Sequence, residues 1–396
     1  MAIQVGIGLS TQKDPILAAK EAVLEARLKI NNIKADLAIV FSSIDLSGTP
    51  LLKTISAYLS GSRILGCSGA AIISNHGIFK HGVVVMLLSH SQGVYFNTGL
   101  VRNIMERSAV QAGEELGENL LHGFQGIRRD LSVIFSDGLI ESSSDLISGM
   151  QERVGVSFPL AGASAADNLT FKKTYIYFDQ EIISNAACGI LWGGKLNFGM
   201  GTKHGWKPLG KPRKVTKASG NIIHEIDNAP AIRIYEEYLA RDSDELKKEL
   251  KRISILYPIG IYLPGEEEFL LRNLFSIEDD GSIVLQGNVP QNSQIRLMIG
   301  TKETCLAATH QAIEEVKKGL FGRPCNFVLV FDSISRYILL GRRAGKELEI
   351  IKEQMGKDTP IIGLCTYGEQ APLRSINYLG KTYFQNQTIT IVAIGG

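Results

Sequence analysis

Three apolar stretches of the chain end in a phenylalanine followed by two small polar residues: Phe41-Ser42-Ser43, Phe135-Ser136-Asp137 and Phe331-Asp332-Ser333. About one helix-length further on, each is answered by an apolar run that breaks into small residues. These runs carry Gly66, Cys67 and Ser68; Gly162, Ala163 and Ser164; and Gly363 and Cys365. Such side chains can do binding chemistry, because ligands of open α/β sheets bind beyond the carboxyl ends of strands. Small residues leave volume and let a backbone approach closely. Asp137 and Asp167 could hold an ammonium and exposed backbone N–H groups a carboxylate, a combination that suits an amino acid. The structural alternative stays open throughout, since serine, aspartate and glycine also end strands and cap helices.

Asp167 and Asn168 place a carboxylate beside a carboxamide just past a Gly-Ala-Ser turn, able to fix donors and acceptors of a ligand. Asp-Asn is equally a turn pair held by its own backbone. Arg336 offers a planar fork for a carboxylate, and Glu369 could complete the pair or hold an amine; a structural ion pair between the two explains them as well. In His204-Gly205-Trp206, His204 could ligate haem iron with Trp206 walling the pocket. Alternatively, Trp206 anchors a crossing between domains and His204 is a loop residue, since no CxxCH motif or second ligand accompanies it. Cys67 and Cys365 occupy comparable places, but a nucleophilic cysteine needs a base or cation nearby. Neither a local Cys–His pairing nor a GxSxG elbow is present. Small buried thiols explain both, and a hydrolase or transferase built on Cys67 or Ser164 lacks its general base. His76 and His81 do not have helical ligand spacing, and the absence of GxGxxG and GxxxxGK[ST] argues against dinucleotide and P-loop sites.

The elements that must position these residues alternate strand and helix. Ile3–Leu9 reads as a strand, and Asp14-Pro15 opens a helix as N-cap and first helical residue, with Leu17, Leu24 and Leu28 on one face. Leu37–Phe41, Thr49–Ser60, Ile64–Gly66 and Val83–Leu88 continue as strand, helix, strand, strand. A second unit follows as helix Val110–Leu121, strand Leu131–Phe135, helix Ser142–Val154 and the Gly162 turn, completed by Tyr175–Phe178 paired with Ala187–Leu191. Between Gly193 and Asn221 the texture changes to glycine- and lysine-rich, and the domain boundary is expected after this segment, near Asp227. Ile232–Leu239 and Asp242–Arg252 are helical, Ile253–Leu263 and Leu270–Gln286 strand-like with a hairpin at Asp280-Gly281. Thr301–Lys318 is a helix with Leu306, Ile313 and Val316 inward and Gly319 as its stop. A third strand–helix–turn unit runs from Phe327 to Gly368, and Thr388–Ile394 closes the chain. The expected architecture is α/β, with mixed sheets covered by helices and about three related units in two domains, 1–226 and 227–396.

Composition fits this. A 44% apolar and 21% charged chain of 396 residues is ordinary for a globular protein of two or three domains. A net charge of +2 with interspersed signs gives no case for nucleic acid. Apolar runs have strand length, short of a membrane span. The start lacks the pattern of a secretory signal, and five cysteines without a CxxC pair fit a reducing cytoplasm.

The ordered landmarks resemble the FIST family of sensory modules. Gly66-Cys67-Ser68, Ala161–Asn168, Gly205–Gly210 and Val215-Thr216 carry the resemblance in the N-terminal part. Glu225–Ala231, Arg272-Asn273, Arg336, Gly368-Glu369 and Asn386–Thr388 carry it in the C-terminal part. Two positions depart from the family pattern: Ser333 stands where a cysteine is common, and Gln385 where a histidine is common. The resemblance implies recognition of a small ligand such as an amino acid, with haem-based nitric oxide sensing as an alternative. With little sequence left for an output module, it also implies a separate partner such as a kinase or regulator. The ligand-binding residues expected on this combined basis are Ser42, Ser43, Cys67, Ser68, Ser136, Asp137, Gly162, Ala163, Ser164, Asp167, Asn168, Trp206, Arg336 and Glu369, with His204 as the candidate haem ligand.

Overall fold

A computed structural model describes residues 3–90, 92–373 and 381–395. The repeat expected from the sequence is present as three six-stranded mixed sheets with one internal order. In the first sheet, Gln4–Ser10 lies antiparallel to Val83–Ser89, which lies antiparallel to Leu37–Ser43, which lies parallel to Arg63–Gly69. The second sheet repeats this with Val94–Arg102, Ala186–Gly194, Arg129–Ser136 and Leu160–Ser164. The third uses Asn197–Lys203, Ile389–Gly395, Phe327–Ser333 and Ile361–Thr366. A parallel pair needs a crossover helix: Thr49–Ala57, Ser143–Val154 and Gly345–Met355 fill that place.

Each sheet is completed by a hairpin from another unit, and the exchange is cyclic. Ile176–Phe178 with Glu181–Ile183, from the second unit, extends the first sheet at Arg63–Gly69. Ala71–Ser74 with Gly77–Phe79, from the first, extends the third at Ile361–Thr366. Gly368–Pro372 with Thr382–Gln385, from the third, extends the second at Leu160–Ser164. Sheet membership therefore crosses position 226 in several places. The exchange also corrects one expectation: Ile176–Phe178 and Ala186–Gly194 do not pair, because the former is delivered to the first sheet and the latter stays in the second.

A helix follows the first strand of every unit: Pro15–Lys29, Ala109–Leu121 and Lys302–Leu320. In the first and third units a glycine sets how closely it docks. A Cβ on Gly8 would lie 1.9 Å from the Ala22 carbonyl oxygen, and one on Gly201 1.9 Å from that of Ala312. The helix accordingly buries its narrow alanine face, Ala18, Ala19, Ala22 and Ala26 with Val23. Leu17 and Leu28 point to solvent, and their shared face is the outer one. Helix Lys302–Leu320 runs past Gly319 and ends where Phe321 takes up φ 52°. Where the three sheets face one another, the repeated phenylalanines meet. Phe41, Phe135 and Phe331 are fully buried, with centroids 5.3, 6.0 and 6.5 Å apart and rings edge to face.

Between strand Asn197–Lys203 and helix Lys302–Leu320 an all-antiparallel sheet is inserted. Its order is Leu270–Arg272, Ile259–Tyr262, Gln294–Ile299, Lys207–Ser219, Ile222–Ile226, Ile283–Leu285, Leu274–Ile277. Helices Arg233–Leu239, Ser243–Lys248 and Leu250–Leu256 cover it around a core of its own. The stretch 253–263, expected as one strand, is helix to Leu256 and strand from Ile259, with Pro258 between.

Candidate ligand-binding cleft

The residues expected at strand ends are where the sequence places them, and most are occupied by protein. Ser42 Oγ lies 2.7 Å from the Tyr177 hydroxyl, and Ser43 Oγ accepts from Gly82 N at 3.1 Å. Ser68 Oγ donates to the Ala166 carbonyl at 2.9 Å and accepts from Tyr175 N at 3.1 Å. Ser136 and Ser164 share a hydrogen bond of 3.1 Å, and the Gln370 amide donates to both. Gly162 and Ala163 are buried and pair within the sheet with Gln370 and Glu369 of strand Gly368–Pro372. Asp137 accepts from Thr174 Oγ1, from Leu139 N at 3.0 Å and from Asn185 N at 2.5 Å. Cys67 and Cys365 are fully buried, and burial pushes both thiols well above their ordinary range, away from nucleophilic chemistry.

Arg336 and Glu369 do not form the ion pair with each other that the sequence allowed. Arg336, fully buried, sits 3.1 Å from Asp332 Oδ1 and pairs with Glu347, and it also donates to the carbonyls of His204 and Cys305. Helix Ile334–Leu340 puts Arg336 one turn from Asp332, so local geometry decides the partner. Glu369 instead accepts from Thr366 Oγ1, from Thr388 Oγ1 at 2.7 Å and from Thr388 N at 3.2 Å. Its burial outweighs these bonds and raises the carboxyl to about 8.

His204 offers no coordination to iron. Its Nδ1 accepts from Trp206 N at 2.9 Å and its Nε2 faces Glu268 Oε2 at 3.2 Å. The side chain is buried, and the Glu268 carboxylate stands where an iron would have to approach Nε2, so the residues around it do not fit a haem. Trp206 fills the seam between insert and body: its Nε1 donates to the Ile255 carbonyl at 3.0 Å, and it packs with Leu271, Met298, Cys305 and Leu340.

Asp167 has the most crowded environment of the expected set. Its carboxylate accepts from Thr170 N and Oγ1, from Phe171 N, Lys172 N and Lys173 N, and from the Tyr367 hydroxyl. Burial works against ionisation here, but the hydrogen bonds from Thr170, Tyr367 and the loop backbone bring its pKa to about 2. These bonds hold Leu169 and Phe171 at φ 67° and 52°, a region costly for residues other than glycine. Asn168, beside it, is exposed. The loop that Asp167 organises presents Leu169 and Phe171 to a cleft between body and insert.

That cleft has two lobes of about 230 and 280 Å³, and Phe171, Phe275, Gln286 and Tyr367 line both. Phe171 stacks on Tyr367, at 4.4 Å and 12°, and meets Phe275 edge to face at 6.1 Å. The first lobe is walled by Leu250, Ile255 and Leu274 from the insert and by Leu169, Ile334 and Ile338 from the body. The second adds Leu139, Ile140, Val284, Leu285 and Phe384. Phe275, Ile338 and Phe171 are 51, 40 and 37% exposed there, unusual for large apolar side chains so close together.

Two family models match the chain, the FIST N domain over residues 36–229 and the FIST C domain over 231–372. The chain belongs to the FIST family. FIST domains are sensory modules of signal transduction. Similar proteins include an uncharacterized protein of Mycobacterium tuberculosis, 23% identical over 95% of this chain and 97% of its own length. An uncharacterized protein of Methanocaldococcus jannaschii is also 23% identical, over 78% of this chain, and the match spans 64% of that relative's length. Among solved structures, a cyanuric acid hydrolase from A. caulinodans aligns over 99% of both chains, with TM-score 0.38 and 7% identity.

In the FIST framework four residues that carried the resemblance in the C-terminal part, Arg272, Asn273, Asn386 and Gln387, converge behind the first lobe. Asn273 N donates to Asn386 Oδ1 at 3.3 Å, Gln387 donates to Asn273 Oδ1, and Arg272 donates to the Phe384 carbonyl at 2.9 Å. Ser333 is buried immediately before Ile334 and Ser335 of the lobe. Gln385, in the family's histidine position, donates to the Ala371 carbonyl at 2.7 Å. Phe171, Phe275, Tyr367, Gln286 and Lys251 went unseen in the sequence. The available signal was Asp167, whose loop carries the first of them. Among the described residues no helix is long and apolar enough to cross a membrane.

Proposed function

We propose that this protein senses a small metabolite bound in the cleft between the three-unit body and the inserted sheet, and signals through a separate partner such as a kinase or regulator. The observation that carries this reading is the cleft's composition from both bodies, with Phe171 and Tyr367 on one side and Phe275 and Gln286 on the other. A ligand touching both sides stabilises one relative placement of insert and body. Its differential affinity then shifts the population between placements, and the altered outer surface is what a partner reads. Lobes of about 230 and 280 Å³ lie below the usual range of drug-sized sites, so the ligand is of metabolite size, a carboxylic acid related to an amino acid. Neither Asp137 nor Asp167 supports an ammonium there, since their own loops occupy both carboxylates.

The test is a thermal-shift screen of metabolites, followed by hydrogen exchange with any compound that stabilises the protein. Slowed exchange is expected on both sides of the cleft, in 167–173 and in 250–255 or 273–286, with the effect lost in Phe275→Ala. Protection confined to one side, or a response indifferent to Phe275→Ala, would place the ligand elsewhere.

A further inference from the structure

The first lobe presents donors, and the reason lies in a chain of amides behind it. Gln387 Nε2 donates to the backbone carbonyl of Ser254 at 2.8 Å, which fixes which end of this amide is nitrogen. The same Nε2 donates to Asn273 Oδ1, so Asn273 must turn its Nδ2 the other way. Asn273 Nδ2 donates to Gln286 Oε1 at 3.0 Å. With its oxygen engaged, Gln286, which lines the cleft, keeps its Nε2 as a spare donor, for which the described residues supply no acceptor. Turning Gln286 alone sets donor against donor at Asn273, turning Asn273 alone does the same at Gln387, and turning all three breaks the bond to the Ser254 carbonyl.

Ser254 and Ser335 add hydroxyls to the same lobe. Lys251 is the only charged residue among the described lining, and no carboxylate among the described residues lies within ion-pair distance of it. The remaining walls are apolar or aromatic. An ammonium would meet a like charge and a donor amide, while an acceptor-only head would be met by Lys251 and Gln286 together.

Resting on the cleft as the ligand site, we propose that its first lobe is selective for an apolar carboxylate. The alkyl or aryl body lies among Phe171, Phe275, Ile334 and Ile338, and the carboxylate accepts from Gln286 Nε2 and pairs with Lys251. The relay through Gln387 and Asn273 acts as a positioning device: it sets Gln286 as donor and reaches no ligand atom itself.

Three probes sharing one apolar body test this: 4-phenylbutyrate, 4-phenylbutanamide and 4-phenylbutylamine, titrated calorimetrically into the full-length protein. The acid is expected to bind about tenfold more tightly than the amide, as for a charge-assisted contact, and the amine least. Lys251→Glu, a surface change compatible with folding, is expected to remove the acid's advantage and favour the amine, and added salt to weaken the acid alone. Gln286→Leu should lower affinity for both acid and amide. Saturable binding without preference for the acid, or a preference unmoved by Lys251→Glu, overturns the carboxylate assignment while the cleft reading stands. No saturable binding of any of the three overturns both.

Discussion

Glu369 shows what one buried carboxyl does to the stability of this fold. It is enclosed by the hydroxyls of Thr366 and Thr388, with no cation within ion-pair distance among the described residues, and burial holds its pKa near 8 against an ordinary 4.5. The folded protein therefore keeps a proton that the unfolded chain releases. Between about 4.5 and 8 the unfolded state binds fewer protons, so this group makes stability fall as pH rises across that window and level off above it. Glu369→Gln is isosteric and can still accept from Thr388 N, while its amide donates to a reversed Thr366 hydroxyl. The variant is expected to match the parent near pH 4.5 and to exceed it at pH 8, by a gain of the order of a few kcal/mol. Urea midpoints at the two pH values give the comparison. An equal difference at both would mean that Glu369 is ionised in the fold, stabilised by a partner that its environment does not reveal.

At the scale of elements, the loop 167–173 joins the structural and binding roles that the sequence left as alternatives for Asp167. The carboxylate gathers the N–H groups of its own loop and the Tyr367 hydroxyl, and so fixes Leu169 and Phe171 at positive φ. Asp167→Ala leaves those donors without an acceptor and is expected to cost about 1–3 kcal/mol, the desolvation penalty of such groups. It should also open the loop to proteolysis and abolish ligand-induced stabilisation in the cleft. Because the carboxyl is held near 2, its contribution in the parent is intact above the ordinary 3.8 and is lost only as pH falls through about 2. A variant with an unchanged urea midpoint and an unchanged proteolytic pattern would remove Asp167 as the organiser of the loop.

The same loop shows what could be read in advance. Strand ends at Phe41, Phe135 and Phe331, the cap at Asp14-Pro15 and the threefold repeat were visible because local periodicity and capping chemistry write them into short windows. Hairpin exchange was not, since the alternation of Tyr175–Phe178 is the same whichever sheet it joins. Nor could Leu17 and Leu28 reveal that they face outward, because the decision lies with Gly8 across the helix. The cleft is the extreme case. Phe171, Phe275, Gln286 and Tyr367 are ordinary residues until the insert folds back onto the body.

Over the whole molecule, the exchanged hairpins tie each sheet to two units, and the Phe41–Phe135–Phe331 cluster fills the space they enclose. No unit can keep its sheet complete if another opens, so the body should unfold in one step despite its internal repetition. The insert is less obviously bound, having its own core, and Trp206 decides the matter. It is buried among Met298 and Leu271 of the insert and Cys305 and Leu340 of the body, with Gly300 close against its ring. The other tryptophan, Trp192, lies in the second unit with its Nε1 donating to His90 Nε2 at 3.0 Å. Fluorescence of Trp192→Phe therefore reports the seam, and that of Trp206→Phe reports the body. Urea transitions of the two variants are each expected to coincide with the same variant's circular dichroism, the criterion for all-or-none unfolding. If the seam probe changes at lower urea than circular dichroism, the insert separates before the body opens, and its motion alone is available to carry a signal. If they coincide, the closure that a ligand induces is coupled through Trp206 to the packing of the third unit, and a partner can read it on the body as well as on the insert.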